Sequence, residues 1–267
     1  MTTCRWNGLL LGGALGLESL PWAPYFLFAA ESELSTGPAL KHLQKQIVCL
    51  LADSDDANER NRDSRHKLLT EFLAWLEGWA AEEENHVAFF RAAQARCVFL
   101  SAPLKTNSPG GVSVQVETPH FGVLEPIPAA QSFERTLFFL LYSEVASMVW
   151  YRAWVRRVPG GTLLTALKEL HRDEASHFLA FLRFALRLCI IDPLALREAR
   201  LVRVGIAKTL RGLGQVRVSL SGNKENDMNW WENEIFSKVA DGKDIVQAIL
   251  RIQTATYERL ARTSRAS

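Results

Sequence analysis

The sequence predicts an all-α protein, and three observations carry that prediction. Residues 65–101 hold a stripe of Leu69, Phe72, Leu76, Trp79, Glu83, His86, Phe90, Ala93, Cys97 and Leu100 that steps by three or four without a miss. At 3.6 residues per turn this is one helix face sustained for about nine turns. Residues 132–157 and 162–190 carry stripes of the same period. No two-residue alternation competes with them, apart from a short Val-Ser-Val-Gln-Val segment at 112–116.

Taken in order, residues 1–23 are apolar and rich in Gly and Pro, which reads as a wrap on the outside of the fold. The first core helix is expected over about 24–52, because Pro24 is tolerated in a first turn, with Gly37-Pro38 as a kink or break. Residues 53–64 are polar throughout and read as a linker to the second core helix, 65–101. Residues 102–131 carry five prolines and a double glycine, a long connection between the second and third core helices that has room for a small hairpin at 112–116. The third helix, 132–157, aligns Leu137, Leu141, Glu144, Met148, Tyr151 and Val155. Val158-Pro-Gly-Gly161 ends it, and Thr162 is a candidate cap for the fourth, 162–190, whose face is Leu163, Leu167, Leu170, Glu174, His177, Phe181, Phe184 and Leu188. Asp192-Pro193 breaks that helix or starts another. Accessory helices follow over about 194–262, separated by a polar loop at 219–229. The whole of 1–267 is read as a single domain.

Composition narrows the function classes. The chain has 267 residues, 48% hydrophobic and 22% charged, which is ample for a sizeable core and excludes a disordered or collagen-like chain. With 31 basic against 29 acidic residues the net charge is +2, so no nucleic-acid partner is expected. The apolar run after Arg5 has some likeness to a secretory signal. Glu18, Pro21 and Pro24 interrupt it, and no run reaches the roughly 20 residues of a membrane span. A cytoplasmic protein is expected. Cys4, Cys49, Cys97 and Cys189 form no CxxC pair and read as free thiols.

Two of the apolar stripes contain the same anomaly. Glu83 and His86 interrupt one, and Glu174 and His177 interrupt another. An unpaired buried carboxylate is costly enough to be neutralised unless something compensates it. The i, i+3 spacing puts both side chains of each pair on one face. A Glu-x-x-His pair on each of two helices, with one Glu from each of two others, is the di-iron or di-manganese site of ferritin-like four-helix bundles. Glu144 is the polar member of its stripe and supplies one of those two. Glu31 is the candidate for the other, because Leu27, Glu31 and Leu34 share a face from which Glu33 points away. The alternative, two buried Glu–His pairs without a metal, leaves four carboxylates in apolar surroundings without enough cations. The expected metal ligands are therefore Glu31, Glu83, His86, Glu144, Glu174 and His177, in a ferritin-like bundle with additional helices.

These residues also carry a family resemblance. Trp75-Leu-Glu-Gly-Trp79-Ala-Ala-Glu82-Glu83-Glu84-Asn85-His86 resembles the W-x-x-x-W-x-A-E-E-x-x-H signature of soluble acyl-acyl-carrier-protein desaturases. Asp173-Glu174-Ala-Ser-His177 is similar to their D-E-x-x-H motif, and Ile191-Asp192-Pro193 to the I-D-P that follows it. Glu31-Ser-Glu-Leu-Ser-Thr36 is similar to E-E-x-L-P-T, which favours Glu31 over Glu33, and Glu144-Val-Ala-Ser147 to E-x-A-T. The resemblance covers about residues 25–200. It implies two iron ions, O2 as co-substrate, a carrier-bound acyl substrate, a ferredoxin-type electron donor and a homodimer. It also implies that Asp173 orients His86 and that Ser147 relays a proton at the oxygen site. Arg152, Arg156, Arg157, Arg183, Arg187, Arg197, Arg200 and Arg203 form a basic bias suited to an acidic carrier protein. Trp230-Trp231 reads as packing or a dimer contact.

The chain also departs from that family. The connection at 102–131 lacks the family's usual sequence there, and the chain is shorter than the plant enzymes. Diiron arylamine N-oxygenases carry a third histidine ligand four residues before the second-pair glutamate, where this chain has Leu170; His171 lies three before it and reads as solvent-facing or as a support for a ligand. An N-oxygenase or hydroxylase on the same bundle is the first alternative, and a ferritin-like iron-binding protein without turnover the second.

Overall fold

The computed structural model describes residues 7–34, 36–52, 59–101, 132–213 and 242–266; within these, a few side chains, Glu31 among them, are outside the description. The connection 102–131 with the hairpin expected at 112–116, Cys4, and Trp230-Trp231 also lie outside the described residues. The described residues are helical and contain no strand. Among the described residues eight α-helices follow one another: α1 Gly8–Gly13, α2 Ala23–Leu34, α3 Thr36–Ala52, α4 Glu59–Ser101, α5 Phe133–Val155, α6 Gly161–Ile191, α7 Ala195–Leu213 and α8 Gly242–Ala266, with a 3₁₀ turn at Leu17–Trp22 between α1 and α2.

Several boundaries differ from the sequence reading, each for a local reason. The expected first core helix is described as Ala23–Leu34 and Thr36–Ala52, and Gly37-Pro38 lies within the first turn of the second. Thr36 Oγ1 donates to the Glu33 carbonyl at 2.6 Å, a side-chain bond at the α2–α3 junction. α4 begins at Glu59, inside the stretch read as a linker, and its 43 residues extend for about 65 Å. Thr162 is not a cap. Gly160 takes that position, and Gly161 sits at φ +81°, a left-handed backbone that favours glycine. Ser132 caps α5 by accepting from the Arg135 amide at 3.3 Å. At the other end of α6, Asp192 Oδ1 accepts from the Leu194 amide at 3.0 Å and turns the chain into α7.

Residues 7–23 pack against the long helix α4 and against α2 and α6. α1 packs along α4. Gly8 and Gly12 make that approach possible, since a Cβ at either would stand 2.4 Å from the carbonyl oxygen of Asn85 or Phe89. The Gly8 amide donates to Asn85 Oδ1 at 2.8 Å, and Leu15 and Ser19 are fully buried beyond it.

α5 is apolar on nearly every side and takes the central place. It packs on α3, α6, α7 and α8, while α4 packs on α2, α3 and α6. Two apolar clusters result. One gathers Tyr25, Phe26, Phe89, Phe90, Tyr151 and Trp154 with parts of α6 and α8. The other gathers Phe72, Leu76, Trp79, Leu141, Phe181 and Leu188 with parts of α3 and α7. The polar anomalies of α4, α5 and α6 fall between the residues of the two clusters along each helix.

Candidate metal centre

On α4 the stripe runs from Trp79 through Glu83 and His86 to Phe90, so the register that buries the aromatic rings also buries the two polar side chains. The same register on α6 buries Glu174 and His177 between Leu170 and Phe181, and on α5 it buries Glu144. α2 contributes Glu33. Its buried positions, Tyr25, Phe26, Ala29, Ala30 and Glu33, define the inward face.

Six side chains meet there. Glu33, Glu83, His86 and Glu174 form one group, and Glu83, Glu144, Glu174 and His177 another; within each group the candidate ligand atoms all lie within 4.8 Å of one another. Glu83 and Glu174 belong to both. The expected residues Glu83, His86, Glu144, Glu174 and His177 are thus brought together by three helices, α4, α5 and α6. Glu33 does not point away as the sequence reading had it: it is 5% exposed and part of the cluster. The side chain of Glu31 lies outside the described residues.

The two imidazoles are oriented alike. His86 Nδ1 faces Glu174 Oε1 at 3.3 Å and Glu83 Oε2 at 3.7 Å, while its Nε2 lies 3.4 Å from Asp173 Oδ2. His177 Nδ1 faces Glu83 Oε1 at 3.2 Å and Glu144 Oε2 at 3.6 Å, while its Nε2 lies 2.7 Å from Glu82 Oε2. The acid that precedes each buried glutamate therefore crosses to the histidine of the opposite helix. Such an outer carboxylate accepts a hydrogen bond from Nε2 and turns Nδ1 towards the inner side. Glu82 was missed in the sequence. The signal for it is the internal likeness of Glu82-Glu83-x-x-His86 and Asp173-Glu174-x-x-His177.

The electrostatics show what the cluster lacks. Burial, reinforced by the charges of Glu83 and Glu174, holds the Glu33 carboxyl well above the usual carboxylate range. Burial and Glu174 do the same to Glu144. Burial would also push Glu83 up, but the His177 and His86 imidazoles that face it outweigh burial and hold Glu83 well below that range. Against burial, which disfavours imidazolium, Asp173, Glu174 and Glu83 raise His86 well above its ordinary value, and Glu144, Glu82 and Glu83 raise His177. Four inner carboxylates face two imidazoles; were all four ionised, two imidazolium ions would not balance them, and without a metal the raised Glu33 and Glu144 make up the difference with protons. Glu83 Oε1 and Oε2, Glu144 Oε2, Glu174 Oε1 and His177 Nδ1 are buried and make no hydrogen bond. Buried polar atoms in natural proteins are almost always satisfied, and these five converge on one place. Divalent cations fit both deficits: they accept the unbonded lone pairs and supply the missing charge. The Glu/His groups could hold a metal ion, and the oxygen-rich, two-imidazole donor set suits a first-row metal.

Other expected residues sit nearby. Ser147 lies one turn beyond Glu144 on α5 and is half-buried. His171 is half-buried and outside both ligand groups; partial burial and the Arg152 charge lower its pKa. A hydroxyl that the sequence reading passed over is closer: Tyr151, fully buried, donates to Glu33 Oε1.

Fold and site together define an all-helical protein with a buried carboxylate–histidine centre capable of holding metal. Compared with protein-family models, curated proteins and solved structures, the chain matches none of them. No helix among the described residues is long and apolar enough to cross a membrane.

Proposed function

We propose that this chain is an O2-dependent nonheme diiron oxidoreductase of the acyl-carrier-protein desaturase type, built on a ferritin-like bundle and oxidising a C–H bond of a carrier-bound acyl chain. The observation that carries the reading is the pair of four-residue ligand groups sharing Glu83 and Glu174. A single-ion site needs no shared carboxylates; a two-ion site does. When bound, two iron ions would supply the oxygen chemistry: O2 is reduced to two waters by two donor electrons, two solvent protons and the two hydrogens removed from the chain, leaving a double bond.

The protein's own part is positioning and exclusion of water. Glu33 and His86 would hold one ion and Glu144 and His177 the other, with Glu83 and Glu174 common to both groups. Asp173 and Glu82 keep the two imidazoles in the tautomer that presents Nδ1. The apolar clusters on either side keep the centre dry. Ser147, one turn from Glu144, is the candidate to pass a proton. The exposed Arg152, Arg156, Arg157, Arg183, Arg197 and Arg200 supply positive charge suited to an acidic carrier protein. Arg187 is engaged with Glu71, and Arg203 with Thr254 and the Tyr257 ring. A ferredoxin-type donor and a homodimer complete the proposal, in a cytoplasmic setting.

Iron analysis with Mössbauer spectroscopy on anaerobically loaded protein tests the metal, with about two irons per chain expected. Failure to bind iron with Glu83 and His86 intact sinks the reading. Mass spectrometry of acyl-carrier substrates after reduced ferredoxin and O2 tests the reaction. Loss of two hydrogens supports desaturation, a gain of one oxygen points to a hydroxylase or N-oxygenase, and iron uptake without any product points to an iron-binding protein.

A further inference from the structure

Tyr151 is the inner end of a run of oxidisable rings. Its centroid lies 5.1 Å from that of Trp150, Trp150 lies 4.9 Å from Trp154, and Trp154 lies 5.9 Å from Trp22. Tyr151 and Trp154 are fully buried and Trp150 is 8% exposed, whereas Trp22, on the 3₁₀ turn ahead of α2, is half-buried and reaches solvent. The run therefore begins at a hydroxyl bonded to a candidate metal ligand, Glu33, and ends at the surface. Phe90 stacks against both Tyr151 and Trp154, at 10° and 5° between planes, and keeps the two rings parallel. Trp154 Nε1 is buried and makes no hydrogen bond, so no neighbouring base takes its proton when the ring loses an electron. Packing alone asks only for large apolar rings, and phenylalanine serves that purpose. Indole and phenol differ from phenyl in how readily they give up one electron.

We propose that Trp22, Trp154, Trp150 and Tyr151 form a one-electron path between the buried centre and the surface, which discharges the centre when O2 has been activated without substrate in place. The proposal rests on the oxygen-dependent function above. The steps balance. With Glu33 ionised as a ligand, Tyr151 gives one electron to the oxygen-derived oxidant and passes its phenolic proton along the hydrogen bond to Glu33 Oε1. Trp150 returns an electron to Tyr151, which recovers the proton. Trp154 then reduces Trp150, Trp22 reduces Trp154, and a soluble one-electron reductant of the ascorbate or thiol class reduces Trp22. One electron enters at the surface, one leaves at the centre, and no atom is exchanged.

The path is tested in the metal-free full-length protein over a rising pH series that ionises Glu33, so its outcome is independent of whether iron binds. Azide radicals generated by pulse radiolysis oxidise tryptophan, and transient absorption follows conversion of indolyl into phenoxyl radical. The Tyr25→Phe protein is the starting point, because Tyr25 lies 5.6 Å from Trp22 and 5.9 Å from Trp154 and would act as a second acceptor. A concentration-independent phase of indolyl decay with matching phenoxyl growth is expected. In that background Tyr151→Phe removes most of the phenoxyl yield, and Trp154→Phe and Trp22→Phe slow its appearance severalfold. Trp75→Phe, in the other apolar cluster, leaves it unchanged. Circular dichroism and the thermal midpoint establish that each variant is folded; Trp22→Phe, at the half-buried end, serves if the buried Trp154→Phe does not fold. Unchanged kinetics in Trp154→Phe or Trp22→Phe, or an equal loss in Trp75→Phe, overturns the path. Iron loading without radical transfer sinks the path alone, and radical transfer in a protein that binds no iron sinks only the function on which it rests.

Discussion

Glu82 and Glu83 are neighbours on α4 with different tasks. Glu83 lies inside both ligand groups, whereas Glu82 touches His177 from behind. Removing either outer acid leaves the inner donors in place but frees an imidazole to turn, and supporting carboxylates of this kind are worth roughly 10–100-fold in metal affinity. Glu82→Gln and Asp173→Asn are therefore expected to weaken metal binding by about that factor in a competition titration, with the metal-free fold unchanged by circular dichroism. On α2, Glu33→Gln is expected to lower the iron stoichiometry and Glu31→Gln to leave it intact; the reverse result would return the ligand role to Glu31. The thiols form a second residue-scale contrast. Burial pushes the Cys189 thiol up to about 12 and also raises Cys97, while Cys49 is exposed. In a Cys4→Ser protein, a disulfide reagent is expected to modify Cys49 alone until denaturant is added. Rapid reaction of more than one thiol in the folded protein would contradict the packing around Cys97 and Cys189.

Two glycines on neighbouring elements have opposite expected behaviour. A Cβ on Gly12 of α1 would stand 2.4 Å from the Phe89 carbonyl oxygen and 2.8 Å from the Ala92 Cβ on α4, and helix backbone does not give way. Gly12→Ala is expected to destabilise the protein by about 1–3 kcal/mol, as overpacking does. Gly78, inside α4, has nothing within 4 Å of such a Cβ. Gly78→Ala is expected to stabilise by roughly 0.5–1 kcal/mol through helix propensity. Urea denaturation of both variants checks the pair. Stripes also explain which elements were legible in the sequence. α4 and α6 alternate apolar and charged faces, so their polar intruders stand out. α2 is nearly uniform in its apolar residues, Ala-Pro-Tyr-Phe-Leu-Phe-Ala-Ala, and has no polar side to fix its phase. Its inward face was for that reason assigned to Leu27, Glu31 and Leu34, and the buried positions Phe26, Ala29, Ala30 and Glu33 lie on another.

For the whole molecule, the metal-free fold carries its cluster at a cost that depends on pH. Glu33 and Glu144 are raised above the ordinary carboxylate value of 4.5, and His86 and His177 above the ordinary imidazole value of 6.5. Groups raised in the folded state contribute stability that is complete below the unfolded value and is lost as pH climbs through the folded one. Glu83, which is lowered, contributes above 4.5 and loses its contribution on acidification. The metal-free protein is accordingly expected to lose stability as pH rises through neutrality, whereas an ion displaces those same protons and binds more tightly. Calorimetry of loaded and metal-free protein across that range should show the gap in thermal midpoint widening with pH. A gap that is flat or narrows would mean that no proton is displaced by metal. By itself the sequence determined the helical class, the long register of α4 and α6, and the two glutamate–histidine pairs, because helix periodicity is a local property and a charge within an apolar stripe is visible without any partner. Only the tertiary structure decided that Glu33 faces the cluster, that Glu82 and Asp173 cross to the opposite histidines, and that Tyr151 touches Glu33. Those contacts depend on how one helix is rotated against another, and that rotation is set by packing among several helices at once.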